Sequence, residues 1–422
     1  NGADTITVEL FSTYSELGAS ASDTCDGSLP SVTIDNSSVN TNAVGSYTVT
    51  YNIDDASGNS ATQVTRTVNV TDTSAPSAFT VGDVVTSGGT VVATYLNSTN
   101  TSVIVTVPIA NDASISGGTL QIRAKVSGGA FENIGSSASI SSVNTNQSIT
   151  LTDDDIEAIT GYDEGATIVF TAVITDASGN STTGTQSSTT LLVDQVVPSV
   201  SSFTMSDTAL ISGETSTVTL QFSEAVASFS SDDDITVQNG SLATMTSSDN
   251  ITWTGTFTPT SDVEDATNVL TLATTYTDTA GNAPASTSTT DNYTVDTTAA
   301  TVVAFTLSDS ALKIGDTATV TLQFSEAVTG FSSDADVTVQ NGSLATMTSS
   351  DNITWTGTFT PSSDVEDATN VMSLATSYTD TAGNAGPSAT TDNYEVDTIR
   401  PTVAAFTMSD TALISGETST VT

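Results

Sequence analysis

The chain has 422 residues, of which 48 are acidic, five are basic and none is histidine, and its formal net charge is −43 at pH 7. This balance argues against a nucleic-acid partner and against anionic membrane surfaces, because both are bound through Lys and Arg. The absence of histidine removes the usual general base and zinc ligand, so we expect no enzyme. No apolar run reaches the roughly 18 residues of a membrane-spanning helix, and we expect a soluble stretch that attracts cations.

The length predicts about four domains, and the sequence indicates four consecutive modules followed by the start of a fifth. Each of the four closes with a D-x-[AST]-G-N turn, a last strand and a linker that begins with Asp. The turns are Asp55–Asn59, Asp176–Asn180, Asp278–Asn282 and Asp380–Asn384, and the linkers begin at Asp72, Asp194, Asp296 and Asp397. The predicted modules are therefore 1–72, 73–194, 195–296 and 297–397, followed by the start of a further repeat at 398–422.

The first module contains the only cysteine of the chain, Cys25. It cannot form a disulfide within these 422 residues, and we expect a partly buried free thiol. Pairing with a cysteine outside this stretch is the alternative.

The third and fourth modules are nearly identical in sequence. Thr236–Pro259 recurs without change as Thr338–Pro361, an offset of 102 residues. Phe203–Thr219 recurs as Phe406–Thr422, and because Asn1 and Thr422 both fall inside modules we expect the chain to be part of a longer protein. Serial copies of one unit favour a protein that spans or assembles over an enzyme.

The third module has a period of two in its apolar residues, which is typical of half-buried antiparallel strands. Its seven predicted strands are Ser201–Ser206, Thr215–Phe222, Ile235–Gln238, Leu242–Thr246, Ile251–Thr258, Val269–Tyr276 and Asn292–Val295. Seven short strands in about a hundred residues indicate an immunoglobulin-like β-sandwich. The chain is thus predicted to be all-β, a tandem array of such sandwiches, with Trp253 and Trp355 in their cores and at most one helical turn, at Asp154–Thr160.

The repeats resemble the bacterial Ig-like domains of very large repeats-in-toxin surface adhesins. The segments that carry this resemblance are Phe222–Val226 (FSEAV), Ile235–Leu242 (ITVQNGSL), Trp253–Pro259 (WTGTFTP) and Tyr276–Asn282 (YTDTAGN). The first module resembles a hyalin-repeat or related bacterial surface module through Glu16–Ile34, Val44–Asn59 and Thr65–Asp72, although Leu10 stands where related modules carry a second cysteine. The second module resembles another Ig-like type from the same adhesins. The resemblance implies an exported, non-catalytic extension region that is often stiffened by calcium.

Acidic residues are expected to gather at the two poles of each sandwich, so that two acidic poles meet at every joint between modules. Calcium would relieve the repulsion, because it accepts six to eight oxygen ligands in irregular geometry. The candidate ligands are Asp194, Asp207, Glu224, Asp232, Asp234, Asp262, Glu264, Asp265, Asp278, Asp296, Glu326, Asp334, Asp336, Asp380 and Asp397. The alternative is that these loops are solvated acidic caps that keep a β-rich array soluble.

Two functions remain open from the sequence. The first is a calcium-stiffened extension region of a cell-surface adhesin, in which the partners of each module are its neighbours in the chain. The second is a self-assembling subunit of an extracellular filament, sheath or surface layer, in which other copies of the chain make lateral contacts. Both place the protein outside the cell, and lateral contact distinguishes them.

Overall fold

A computed structural model describes residues 4–422, which fold as two compact units. One unit contains residues up to 198 together with 277–283, and the other contains residues 199–276 and 284–422. Strands account for 42% of the residues and helices for 4%, which confirms the predicted all-β class. The first three residues of the predicted module 1–72 lie outside the described residues.

The first module is built on one four-stranded sheet with a small core. Its inner face carries Val49, Tyr51 and Val68, which alternate with exposed or half-buried residues as the period of two predicts. The first strand pairs with the last in parallel. The strands are Thr5–Glu9, Ser22–Asp23, Gly27–Ser28, Thr33–Asp35, Gly45–Asn52 and Val64–Thr71.

Cys25 lies in this module, and its side chain is exposed. The expectation of a partly buried thiol was therefore wrong. The reason is local: Asp23 accepts hydrogen bonds from the backbone of Cys25 and Asp26, which makes this segment a surface turn between two short strands.

The second module has the largest core of the first unit. Its central strand Ser102–Ile109 buries every second residue, from Val103 to Ile109. A short helix, Asp153–Glu157, begins at a Thr152–Asp155 capping box, which agrees with the single helical turn expected here. The strands are Val84–Ser87, Tyr95–Asn97, Ser102–Ile109, Thr119–Val126, Glu132–Asn133, Ala138–Ser139, Thr145–Thr152, Thr167–Thr175, Ser181–Thr183 and Leu191–Asp194, and a 3-10 helix spans Ala113–Ile115.

The third module contains a four-stranded antiparallel sheet and two smaller sheets of three strands. The four-stranded sheet runs in the order Val200–Met205, Ser216–Phe222, Thr252–Pro259, Gly240–Leu242. The three-stranded sheets are Ala209–Ile211, Tyr293–Asp296 and Glu264–Asn268, and Ile235–Thr236, Thr271–Leu272 and Ser288–Thr289. The remaining elements are the strands Val226–Ala227 and Thr277–Asp278 and the helix Ser231–Asp234.

The fourth module repeats these elements at the offset of its sequence. Its strands are Val302–Leu307, Ala311–Lys313, Ala318–Phe324, Val328–Thr329, Val337–Thr338, Gly342–Leu344, Thr354–Pro361, Glu366–Asn370, Ser373–Leu374, Thr379–Asp380, Ala389–Thr390 and Tyr394–Asp397, and its helix is Ser333–Asp336. Residues 398–422 contain only an isolated bridge between Met408 and Val421, and Phe406 is exposed, since the partners that bury Phe203 in the third module are absent around it.

Five short strands of the third module were not predicted, and two of them pair with its last strand. Ala209–Ile211 pairs in parallel with the last strand Tyr293–Asp296, and Glu264–Asn268 pairs antiparallel with the same strand. Both were assigned to polar loops, because neither has the alternation of apolar residues that reveals a strand. This three-stranded sheet places Asp296 between two neighbours at the end of the module.

The core of each repeat is organised around an aromatic cluster. In the fourth module Phe331 contacts Trp355 edge to face at 4.9 Å between ring centroids, and it also contacts Phe324 and Tyr378. Trp355 is half-buried, and its Nε1 has no hydrogen-bond partner among the described residues. The edge-to-face contact places the tryptophan against the core, as predicted.

The buried tyrosines of the repeats give a prediction at alkaline pH. Burial raises the pKa of Tyr276 and Tyr378 to about 12, since the phenolate is poorly solvated there. Between pH 10 and 12 the unfolded chain loses these protons while the folded chain keeps them, so stability falls as the pH rises. We expect Tyr276→Phe/Tyr378→Phe to flatten the decline of the melting temperature over this interval, measured by calorimetry. An unchanged slope would contradict the assignment.

Candidate functional site

Each D-x-[AST]-G-N turn is closed by its own aspartate. In the fourth module Oδ1 of Asp380 accepts hydrogen bonds from the backbone N–H groups of Gly383 and Asn384 at 2.7 and 2.9 Å, and its Oδ2 accepts from Nδ2 of Asn384 at 2.9 Å. Asp380 is buried. The carboxylate therefore holds the asparagine side chain in one orientation, and Asp55, Asp176 and Asp278 make the equivalent bonds to Asn59, Asn180 and Asn282.

The oriented asparagine reaches beyond its own module. Nδ2 of Asn384 also donates to the backbone carbonyl of Asp296, the first linker residue, at 2.9 Å. Its Oδ1 accepts from the backbone N–H of Ser212 in the third module, also at 2.9 Å. The Asn384 side chain therefore forms hydrogen bonds to Asp380 of its own turn, to the backbone carbonyl of the linker residue Asp296 and to the backbone N–H of Ser212 in the preceding module.

The first unit contains this contact once in full, at Asn282, and once in part, at Asn180. Nδ2 of Asn282 donates to the carbonyl of Asp194 at 2.9 Å, and its Oδ1 accepts from the backbone N–H of Ser98 at 2.8 Å. Nδ2 of Asn180 donates to the carbonyl of Asp72 at 3.1 Å. The sequence predicted a structural role for these turns, but it did not predict that the asparagine binds the preceding linker. The only indication in the sequence was that each such asparagine recurs together with a linker aspartate.

Four carboxylates gather where the third and fourth modules meet, and we call them the joint acids: Glu264, Asp296, Glu326 and Asp380. Asp296 and Glu264 are cross-strand neighbours on two adjacent antiparallel strands. Burial raises the pKa of the Glu326 carboxyl, and the negative charges of Asp380, Asp296 and Glu264 raise it further. These four predicted residues therefore lie close enough to repel one another.

The first unit holds a related acidic group. The carboxylate oxygens of Asp194 and Asp278 approach within 4.8 Å. Burial and the charges of Asp278 and Glu164 raise the pKa of Asp194. Glu164 was not among the predicted residues. Glu224 lies in the other unit, directly after the strand Ser216–Phe222, at the position that Glu326 occupies in the fourth module.

The predicted residues of the short helices are engaged within their own modules. The carboxylate of Asp336 is buried and accepts from the backbone N–H of Ser332 at 2.7 Å and from the hydroxyl of Ser377. Asp334 accepts from the hydroxyl of Thr346 at 3.1 Å. Asp232 and Asp234 make the equivalent contacts in the third module. These bonds engage the four carboxylates within their own modules.

The remaining predicted residues lie in turns and at strand ends. Asp207 accepts from the backbone N–H of Ala209, and Asp265 from Asn239 and Thr267. The other two residues of this group, Asp262 and Asp397, are both exposed. Asp397 accepts a long hydrogen bond of 3.2 Å from the backbone of Ile399.

The strand beside each linker aspartate carries a different residue in each module. Ile211 is the cross-strand neighbour of Asp296, Lys313 is that of Asp397, and Asn97 is that of Asp194. Lys313 is one of only five basic residues in the chain. The same place beside the acid is therefore apolar in one module and cationic in the next.

The joint acids suit a hard divalent cation. Their donors are all carboxylate oxygens, which calcium prefers, and no basic residue contributes to the pKa of Glu326. Asp380 keeps spare acceptor capacity, because each carboxylate oxygen has two lone pairs and the turn does not use all of them. The donor set therefore fits calcium, with Glu326, Asp296 and Glu264 as the residues freest to bind it.

The fold and the repeated joints define a tandem protein of immunoglobulin-like β-sandwiches. Residues 194–295 and 296–396 match the bacterial Ig-like domain family, and residues 1–70 match the bacterial surface protein Ig-like domain family. The chain is therefore an array that contains bacterial Ig-like domains.

Solved structures with similar folds come from diverse proteins. They include a marsupial T cell receptor (11% identity, 73% of this chain and 98% of that chain, TM-score 0.30), the S-layer protein rSbsC (11%, 79% and 56%, 0.18) and the sialic acid binding region of the Streptococcus sanguinis SK1 adhesin (14%, 78% and 78%, 0.20). At such TM-scores these likenesses carry no functional argument. No curated protein matches the chain significantly in sequence. Within residues 4–422, no helix has the length and apolar character to cross a membrane.

Removing one charge from the joint acids should stabilise the protein when no divalent cation is present. Glu326→Gln abolishes the repulsion with Asp380, Asp296 and Glu264, and we expect a gain of up to about 1 kcal/mol, the range of partly exposed charge interactions. Urea unfolding at low ionic strength with chelator measures it. Glu395→Gln, on an exposed strand position, is the control and should change stability less.

The pH dependence follows from the raised pKa of Glu326. In the interval just above the ordinary glutamate value of 4.5, the folded protein binds more protons at this site than the unfolded chain, so its stability increases as the pH falls. We expect Glu326→Gln to remove part of this increase in chelator. A pH profile identical to that of the parent protein would show that Glu326 is not repelled.

Proposed function

We propose that the chain is a non-catalytic extracellular structural array, the calcium-stiffened extension region of a large surface adhesin. The single observation that carries the proposal is the group of joint acids, which contains four carboxylates and whose charges raise the pKa of Glu326. A structure that held these charges together without a counter-charge would be destabilised at neutral pH. A bound calcium ion supplies that counter-charge and links the two modules.

The surface role is supported by the domain types. Bacterial surface Ig-like domains occur at the beginning of the chain, and two bacterial Ig-like domains follow in series. Rigid modules in series hold a binding domain at a distance, and their stability is nearly additive over modules and joints. Neither the tip of such an adhesin nor its target is part of this proposal.

Calcium should change both the stability and the dimensions of the whole chain. We expect millimolar calcium to raise the melting temperature and to narrow the range of particle lengths in small-angle scattering relative to chelator. The variant Glu264→Gln/Glu326→Gln should lose part of both responses, while Asp336→Asn, within a helix of the same module, should leave the calcium response unchanged. If calcium alters neither quantity in the parent protein, the joint acids are not ligands.

A fixed positive charge should replace the ion at this joint. Ile211→Lys puts a lysine at the cross-strand position next to Asp296, the position that Lys313 holds next to Asp397, although the ammonium of Lys313 itself lies 4.0 Å from Asp316. We expect this variant to be more stable than the parent protein in chelator and to gain less from calcium, both measured by thermal melting. Ile211→Gln is the uncharged control. Equal calcium responses in all three proteins would contradict the electrostatic account.

A second function, lateral assembly with other copies, is favoured by one uncharged face. None of the four strands of the larger sheet in the third module contains a charged residue, and the same is true in the fourth. In a chain of net charge −43, such a sheet is a place where copies could meet without repulsion. Sedimentation of the full chain at high concentration tests this, since an extension region stays monomeric and an assembly subunit associates.

A further inference from the structure

The asparagine of each D-x-[AST]-G-N turn makes contacts that the metal proposal does not use. At the joint of the third and fourth modules, Asn384 is buried and bonded to three partners: its own Asp380, the carbonyl of Asp296 and the N–H of Ser212. The last two belong to the linker and to the preceding module. We infer that this turn is a docking element that recognises the end of the preceding module through its backbone and fixes the angle between modules without a metal.

The geometry supports recognition rather than accidental contact. Asp380 fixes the orientation of the Asn384 amide within the turn, because its carboxylate accepts hydrogen bonds from Nδ2 of Asn384 and from two backbone N–H groups of the same turn. A primary amide has two N–H donors and one carbonyl acceptor. One N–H is used within the turn and the other on Asp296, and the carbonyl is used on Ser212. No other residue type offers this set in so small a side chain, and aspartate in its place would lose both donors.

The glycine of the turn also contributes to the contact between modules. Gly383 has a φ of 120°, a conformation that favours glycine, although a Cβ there would make only an ordinary van der Waals contact, at 3.5 Å from Cδ1 of Ile211. In the first unit the constraint is stronger, since a Cβ on Gly281 would lie 2.9 Å from Cγ2 of Val92 and 3.1 Å from Nδ2 of Asn97. The turn therefore presents a flat backbone together with one amide.

The partner is defined by backbone atoms, so one turn can serve neighbours of different sequence. The residue that donates to the asparagine carbonyl is Ser212 in one case and Ser98 in another, and they lie in modules of different types. The acceptor is the carbonyl of a linker aspartate each time. The side chains of these aspartates take no part in this contact, which separates the docking contact from the proposed calcium site.

The three contacts differ in completeness. Asn384 and Asn282 bind the preceding module or linker through both Nδ2 and Oδ1. Asn180 donates from Nδ2 to Asp72, and its Oδ1 accepts no hydrogen bond from residues 4–422. A cavity of about 530 Å³ lies there, lined by residues that include Phe11, Val44 and Ala177. The turn asparagine therefore contributes one hydrogen bond to the joint after the first module and at least two to each of the other joints, while Glu9 of the first module also accepts hydrogen bonds from Thr73 and Ser74.

The test uses the full chain in chelator, so that calcium cannot contribute. Spin labels at Ser241→Cys and Ser343→Cys, in a Cys25→Ser background, report the distance distribution between the third and fourth modules. We expect Asn384→Ala to broaden that distribution at least twofold, and Asn384→Asp to broaden it as well, because the donor to Asp296 is lost. Amide hydrogen exchange at Ser212 should accelerate at least tenfold in Asn384→Ala, since its acceptor is removed.

Asn59→Ala is the matched control. Asn59 makes the same bonds to its own Asp55, but its side chain contacts no preceding module among the described residues. It should change neither the label distances nor the exchange of Ser212. An unchanged distribution and unchanged exchange in Asn384→Ala would overturn the inference. If Asn384→Ala broadens the distance distribution, the docking element is supported. If calcium at the same time changes neither the stability nor the dimensions of the parent protein, the calcium proposal is rejected, so the two proposals can fail separately.

Discussion

The structure of every joint depends on a buried carboxylate that accepts hydrogen bonds from its own turn. Asp380 would be costly to bury alone, and the backbone N–H groups of Gly383 and Asn384 compensate for the lost hydration. The same bonds remove the rotational freedom of the Asn384 side chain. The amide therefore loses its conformational entropy when the module folds. Binding to the neighbouring module then requires little further loss of entropy.

Two forces of opposite sign meet at this place. The asparagine brings the ends of two modules together, and the convergence of their poles concentrates Glu264, Asp296 and Glu326 around Asp380. Hydrogen bonds between neutral groups are nearly independent of salt, whereas the repulsion between carboxylates falls with ionic strength. The geometry of the joint and its electrostatic cost are thus set by different residues. The fourth module has Lys313 where the third has Ile211, so the residue beside the linker aspartate varies while the turn that binds the linker stays the same.

The sequence was sufficient for the fold class and for seven of the twelve strands of the third module, because the alternation in segments such as Thr217–Phe222 reports directly which side chains are buried. It was not sufficient for Ala209–Ile211 and Glu264–Asn268, which are held by pairing with Tyr293–Asp296 rather than by an apolar face. The joint acids could be grouped from charge and topology. A count of charges does not reveal that Asp334 and Asp336, which the sequence grouped with the joint acids, accept hydrogen bonds from Thr346, Ser332 and Ser377 of their own module. The role of Asn384 depends on backbone atoms 88 and 172 residues away, which no local pattern encodes.

The recognition of backbone atoms also bears on how such an array changes its length. Thr236–Pro259 and Thr338–Pro361 are identical, so misaligned recombination between the two copies inserts or deletes one whole unit of 102 residues. Each inserted unit brings its own turn asparagine and its own linker aspartate, and therefore arrives with both halves of a joint. Neighbouring units need no compensating substitutions. Copy number could then vary in single steps, and in the proposed extension role each step would change the reach of the protein by one module.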